Sequence, residues 1–125
     1  MQLQATEFAL FILRLFAGIT FIVHGWPKLR NWKETFFWML KEKIPLPFLG
    51  TTALIIAEVF GGLFLILGIG VQAVSLLLMF VMLVAVGYQW RKHRAYLQFV
   101  ELPLLMFVMC VVLLIAGGGM WQMAP

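Results

Sequence analysis

Four apolar segments leave this 125-residue chain few ways to fold. A helix needs roughly 20 apolar residues to cross a hydrocarbon layer about 30 Å thick, and segments at about 7–26, 50–68, 71–90 and 97–116 meet that length. The composition agrees: 64% of residues are hydrophobic and 11% charged, where a soluble domain carries about a quarter charged and half apolar. The expectation is an all-α, integral membrane four-helix bundle forming one domain over 1–125, with the lipid bilayer as its first partner. Pro27, the Pro45–Pro47 pair and Gly68-Ile69-Gly70 mark the breaks. The break at Gly68–Gly70 is so short that its flanking helices should be antiparallel neighbours.

A formal charge of +4 raises the question of nucleic acid, and the placement of the cations answers it. Lys28, Arg30, Lys33, Lys41 and Lys43 fall in the first loop and Arg91, Lys92 and Arg94 in the third; the N-terminal tail, second loop and C-terminal tail hold none. Basic residues gathered between apolar segments are topology signals that stay in the cytoplasm. The expected location is a bacterial or archaeal cytoplasmic membrane with both termini outside the cytoplasm, and no nucleic-acid partner. The N-terminus lacks the basic start and small-residue cleavage site of a signal peptide, and Arg14 interrupts its apolar run.

Within the first loop, Trp32, Phe36, Met39 and Leu40 recur at helical spacing with Glu34, Lys41 and Glu42 opposite. This predicts a short interfacial helix at about 31–44, lying among headgroups with its lysines near anionic lipid, or packing over the mouth of the bundle. Trp26, Trp32, Trp38 and Trp90 cluster at the same level, as an aromatic belt would.

Ionisable side chains inside a bilayer cost about 2.5 kcal/mol or more and usually face a partner or cavity. Here they are Arg14, Glu58 and Glu101, with His24 and Lys28 closing the first helix. At about 1.5 Å rise per residue, Arg14 lies roughly 11 Å and Glu58 roughly 15 Å from the outer ends of their segments. An Arg14–Glu58 ion pair is therefore expected, with His24, Lys28 and Glu101 forming a second polar layer nearer the cytoplasm. Arg14, Gly18, Phe21, Gly25 and Lys28 advance by alternating fours and threes along one stripe, as do Thr51, Glu58 and Gly62. Gly18, Gly25, Gly61 and Gly62 are read as packing positions that let helices approach closely. Such a buried pair can serve register alone, hold a ligand, or carry protons. His24 has no second histidine or cysteine at ligand spacing, and His93 sits in the basic loop, so no metal site is expected. Cys110 is the single cysteine, which rules out an internal disulfide and fits a small hydrophobe. Pro103 falls in the first turns of the last segment, where a missing N–H costs little.

The string Arg14-x3-Gly18-x5-His24-Gly25-x2-Lys28-Leu29 resembles the first-helix signature of the DoxX family, and Glu58-x2-Gly61-Gly62-x5-Gly68 its second-helix signature. Glu101 and Gly117-Gly118-Gly119 resemble its closing segment more loosely. The resemblance implies a four-helix bacterial or archaeal membrane protein associated with membrane oxidoreductase systems, among them a small subunit of thiosulfate:quinone oxidoreductase, and with oxidative-stress complexes. The family often ends on a Gly-rich turn followed by Ser and Asp. Here Gly119 leads into Met120-Trp121-Gln122, and the chain has no Asp.

Three functions stay open. In the first, a redox-associated subunit, accessory or catalytic, holds a quinone or similar amphipathic molecule at Arg14, His24, Trp26, Lys28, Glu58 and Glu101. No flavin, haem or iron–sulfur motif is evident, so electrons would come from a membrane or soluble redox partner. In the second, a non-catalytic anchor docks a partner enzyme on its basic loops. The third is a small transporter, which with four helices would have to be a homo-oligomer.

Overall fold

The computed structural model describes residues 2–43, 47–92 and 98–123. It contains α1 (Gln2–Arg30), α2 (Trp32–Lys41), α3 (Pro47–Leu67), α4 (Val71–Lys92) and α5 (Gln98–Ala116). No strand occurs among the described residues. Ile44, Pro45, His93, Arg94 and Leu97 lie outside them.

Contrary to the expectation of a break at Pro27, helix α1 continues to Arg30. Proline removes only the hydrogen bond that its own N–H would have made to Val23, and the ladder resumes at once with Asn31 N–H donating to the Pro27 carbonyl at 2.9 Å. The extra turn carries Lys28 on the helix rather than in a loop. Helix α3 opens on Pro47, where the absent N–H is one the first turn would leave unpaired anyway. It closes with Gly68 at φ 74°: Ile69 N–H donates to the Phe64 carbonyl and Gly68 N–H to that of Leu65. These two bonds cap a helix end that needs a left-handed residue.

Helices α1 and α3 pack along most of their length, as do α4 and α5. The first pair runs antiparallel on glycine. A Cβ on Gly18 would lie 2.6 Å from the Gly62 carbonyl, and one on Gly62 the same distance from the Gly18 carbonyl. Farther along, a Cβ on Gly25 would meet the Glu58 Cβ at 2.9 Å. Gly61 turns the other way and packs on Leu78 of α4. In the second pair, Gln72 Nε2 donates to the Leu114 carbonyl at 2.9 Å. Between the pairs lies a core of Ala17, Phe21, Leu65, Leu78, Cys110 and Leu113.

Polarity runs inside out. The buried residues include Arg14, Thr51, Glu58 and Ser75, while the exposed flank of α1 reads Phe8, Ile12, Phe16, Ile19, Val23 and Trp26. That flank advances by fours and threes, opposite the stripe carrying Arg14, Gly18, Phe21, Gly25 and Lys28. Phe60 and Leu63 on α3, Phe80 and Leu83 on α4, and Leu105 and Ile115 on α5 extend the same apolar exterior. A helix in water puts its polar face outward; here it turns inward. Two helices, over Gln4–Arg30 and Phe48–Leu67, are long and apolar enough to cross a membrane, and the apolar runs Val71–Gly87 and Glu101–Ala116 are shorter.

Candidate functional site

The expected Arg14–Glu58 pair does not form. Gly18 lying on Gly62 fixes the register of α1 against α3, and in that register Arg14 is level with the end of α3: a Cβ on Gly68 would sit 2.7 Å from Arg14 Nη1. The two segments do not share an outer boundary, because α1 projects past Leu67. The segment after α5 covers the projection. Gly117, at φ 83°, ends α5 with its N–H on the Leu113 carbonyl. Met120 N–H then donates to the Glu7 carbonyl and Met123 N–H to that of Leu67. Gly119 packs against the Glu7 carbonyl and Leu10.

Arg14 is fully buried beneath this strap. Its Nη1 donates to the Gly118 carbonyl at 3.3 Å and its Nη2 to that of Trp121 at 3.0 Å. The guanidinium also lies 5.1 Å from the centroid of Phe11, within cation–π range, and Trp121 meets Phe11 edge-on. The charge is thus met by two carbonyls of the segment after α5, beside the end of α3 at Gly68, where the helix dipole is negative, instead of by a carboxylate. Sequence reasoning missed Gly118 and Trp121 because they contribute backbone oxygens; the glycine run after an apolar helix was the available sign of a cap.

Glu58 instead pairs with Lys28. The lysine Nζ donates to Oε1 at 2.9 Å and Oε2 at 3.0 Å. Glu58's side chain is 2% exposed and that of Lys28 34%, so the carboxylate is sealed while the ammonium reaches an opening. Gly25, one turn before Lys28, makes this geometry possible by bringing α1 onto the backbone of α3 at Glu58. Two polar layers therefore exist, with memberships unlike those expected: Arg14 with the strap, and Lys28 with Glu58.

The remaining expected residues stand apart. Trp26 is exposed on the apolar flank of α1, turned away from the stripe by its position one residue past Gly25. His24 is half-buried and Glu101 exposed, and neither lines the opening at Lys28. Glu101 sits in the first turn of α5, where its charge complements the helix dipole. Among the described residues no cluster of His, Cys, Asp or Glu could hold a metal ion.

The opening is a cleft of about 1580 Å³ at the basic end of the fold. It is lined by Lys28 and Glu58, by polar Asn31, Glu34, Thr35, Glu42, Lys43 and Arg91, and by apolar Leu54, Leu77, Phe80 and Val84, the last three continuous with the exposed apolar exterior. The lysine spends two N–H groups on Glu58 and keeps a third for an acceptor. Ligand sites of drug size occupy about 300–1,000 Å³ with few polar groups on mostly apolar walls, so the cleft has room for a polar head and an apolar body.

Fold and site together define a class: a helical bundle with apolar residues outside, charged residues inside, and glycines at its closest helix contacts. The DoxX family model matches residues 9–90, well over half of the chain, and the chain belongs to that family. It is accordingly a DoxX-like membrane protein. The match spans Arg14, His24, Lys28 and Glu58 and stops short of Glu101 and the Gly117–Gly119 run, so it covers less of the chain than the sequence resemblance suggests. No curated protein and no solved structure matches the chain.

Proposed function

We propose that this protein is an accessory subunit of a membrane redox system, holding a quinone or similar amphipathic molecule in the cleft lined by Lys28 and Glu58. The observation that carries the proposal is the ion pair itself: a buried carboxylate fixes the ammonium of a partly exposed lysine, and both line a largely apolar opening. A quinone needs a donor for its carbonyl oxygen and apolar surface for its ring, and the third N–H of Lys28 and the walls of α3 and α4 supply both. Glu58, held by two short bonds, keeps that ammonium in place. Electron transfer would belong to a partner protein, because the chain's own residues can only bind, orient and donate protons.

Four spans, with the basic end in the cytoplasm and both termini outside, fit this reading. The apolar exterior of all four long helices supports it, as does the gathering of cations at one end. In this frame Arg14 and its strap seal the outer end, leaving the cytoplasmic half to the ligand. The test is direct: extract lipids from the purified protein and identify what co-purifies. The proposal expects a quinone, and a wild-type protein that neither retains one nor gains thermal stability from one overturns it.

A further inference from the structure

Helix α2 has three flanks with three environments. Trp32, Phe36 and Met39 pack toward α3: Trp32 and Phe36 stack at 5.6 Å, both meet Phe48, and Thr51 Oγ1 donates to Met39 Sδ at 3.2 Å. Glu34, Thr35 and Trp38 line the cleft. The third flank carries Lys33, Phe37, Leu40 and Lys41, spaced i, i+4, i+7 and i+8, and none of these lines the cleft. Phe37 is 61% and Leu40 52% exposed, and both lysines are exposed.

We propose that this third flank of α2 binds the headgroups of anionic phospholipids. Lys33 and Lys41 stand one turn to either side of Phe37, so two cations bracket an outward aromatic ring. A surface facing only water has no reason to expose Phe37 and Leu40, and one facing only hydrocarbon has none to present two lysines. A headgroup layer satisfies both, with ammonium groups at phosphates and apolar side chains at the acyl boundary. Glu34 borders the flank on its cleft side, and exposed Arg30 and Lys43 adjoin the two ends of α2, so cations outnumber the acid around it. It is also continuous with the apolar exterior: Phe37 touches Phe36, which touches Phe48, whose exposed ring begins the outer face of α3. That continuity favours a bilayer edge over a soluble protein.

The full chain is reconstituted in nanodiscs of equal phosphatidylglycerol and phosphatidylcholine, released into detergent, and its retained lipids counted by native mass spectrometry. Each basic side chain near an anionic surface contributes about 1 kcal/mol, so K33Q/K41Q is expected to lose roughly tenfold to thirtyfold of the wild-type preference for phosphatidylglycerol. K33R/K41R is expected to keep it. Unfolding curves that match wild type show that both variants fold. A K33Q/K41Q variant with undiminished preference overturns the proposal, as does a wild-type protein with none. An unchanged lipid preference accompanied by loss of a bound soluble protein also overturns it, and assigns the flank to protein docking.

Discussion

Removing the two partners of the Lys28–Glu58 pair one at a time should give unequal losses, because the two side chains are unequally buried. Lys28→Met leaves a carboxylate that is 2% exposed without its ion-pair partner, and stranding a buried charge costs about 3–5 kcal/mol. Glu58→Met leaves an ammonium that can swing into the cleft and recover water or headgroup contacts, so the loss should be about 1–2 kcal/mol. The double variant strands nothing and fills the space with two flexible apolar side chains, so it should return to within about 1 kcal/mol of wild type. A coupling of about 3–7 kcal/mol follows from these ranges. Equilibrium unfolding in mixed micelles of rising SDS fraction, followed by far-UV circular dichroism, reads all four corners of the cycle. Additive losses would show that the pair is not a unit. A costlier Glu58→Met than Lys28→Met would refute the burial argument. Arg14→Met with Glu58→Met should be additive within about 0.5 kcal/mol, since the two share no partner.

Other consequences are as definite. Gly18→Ala should destabilise by about 1–3 kcal/mol, because its Cβ would press on the Gly62 carbonyl, whereas Gly87→Ala, with nothing within 4 Å, should be neutral or slightly stabilising in the same unfolding assay. Arg14→Lys should loosen the strap, since an ammonium lacks the planar fork that reaches two carbonyls at once; proteolysis near Trp121 in detergent should quicken while unaltered protein resists. Cys110, fully buried in the core, should resist a membrane-permeant maleimide until SDS unfolds the bundle, and labelling of the native protein would contradict that packing.

The inward stripes were legible from sequence because helical periodicity alone determines which residues share a face. Arg14, Phe21, Thr51 and Glu58 are buried as that periodicity requires. The vertical alignment of α1 against α3 was not legible from segment ends, since apolar length marks where a helix meets lipid and not where it meets its neighbour. Glycine positions carry that information. Setting Gly18 on Gly62 places Gly25 beside Glu58 and Arg14 beside Gly68, which selects Lys28 as the partner of Glu58. The strap was harder to foresee: Arg14 is held by the carbonyls of Gly118 and Trp121, and backbone oxygens leave no side-chain signature. Trp26 stands one position past Gly25 and so lies on the exposed flank of α1, off the face that carries Lys28.

A quinone titration followed by thermal unfolding of wild type and of K28M/E58M, the variant expected to stay folded, probes the ligand claim most closely. The account predicts a midpoint that climbs with quinone concentration in wild type and stays flat in the variant, whose cleft keeps its apolar walls but has lost its ion pair. Equal shifts in the two proteins would contradict it, locating any binding on hydrophobic surface alone.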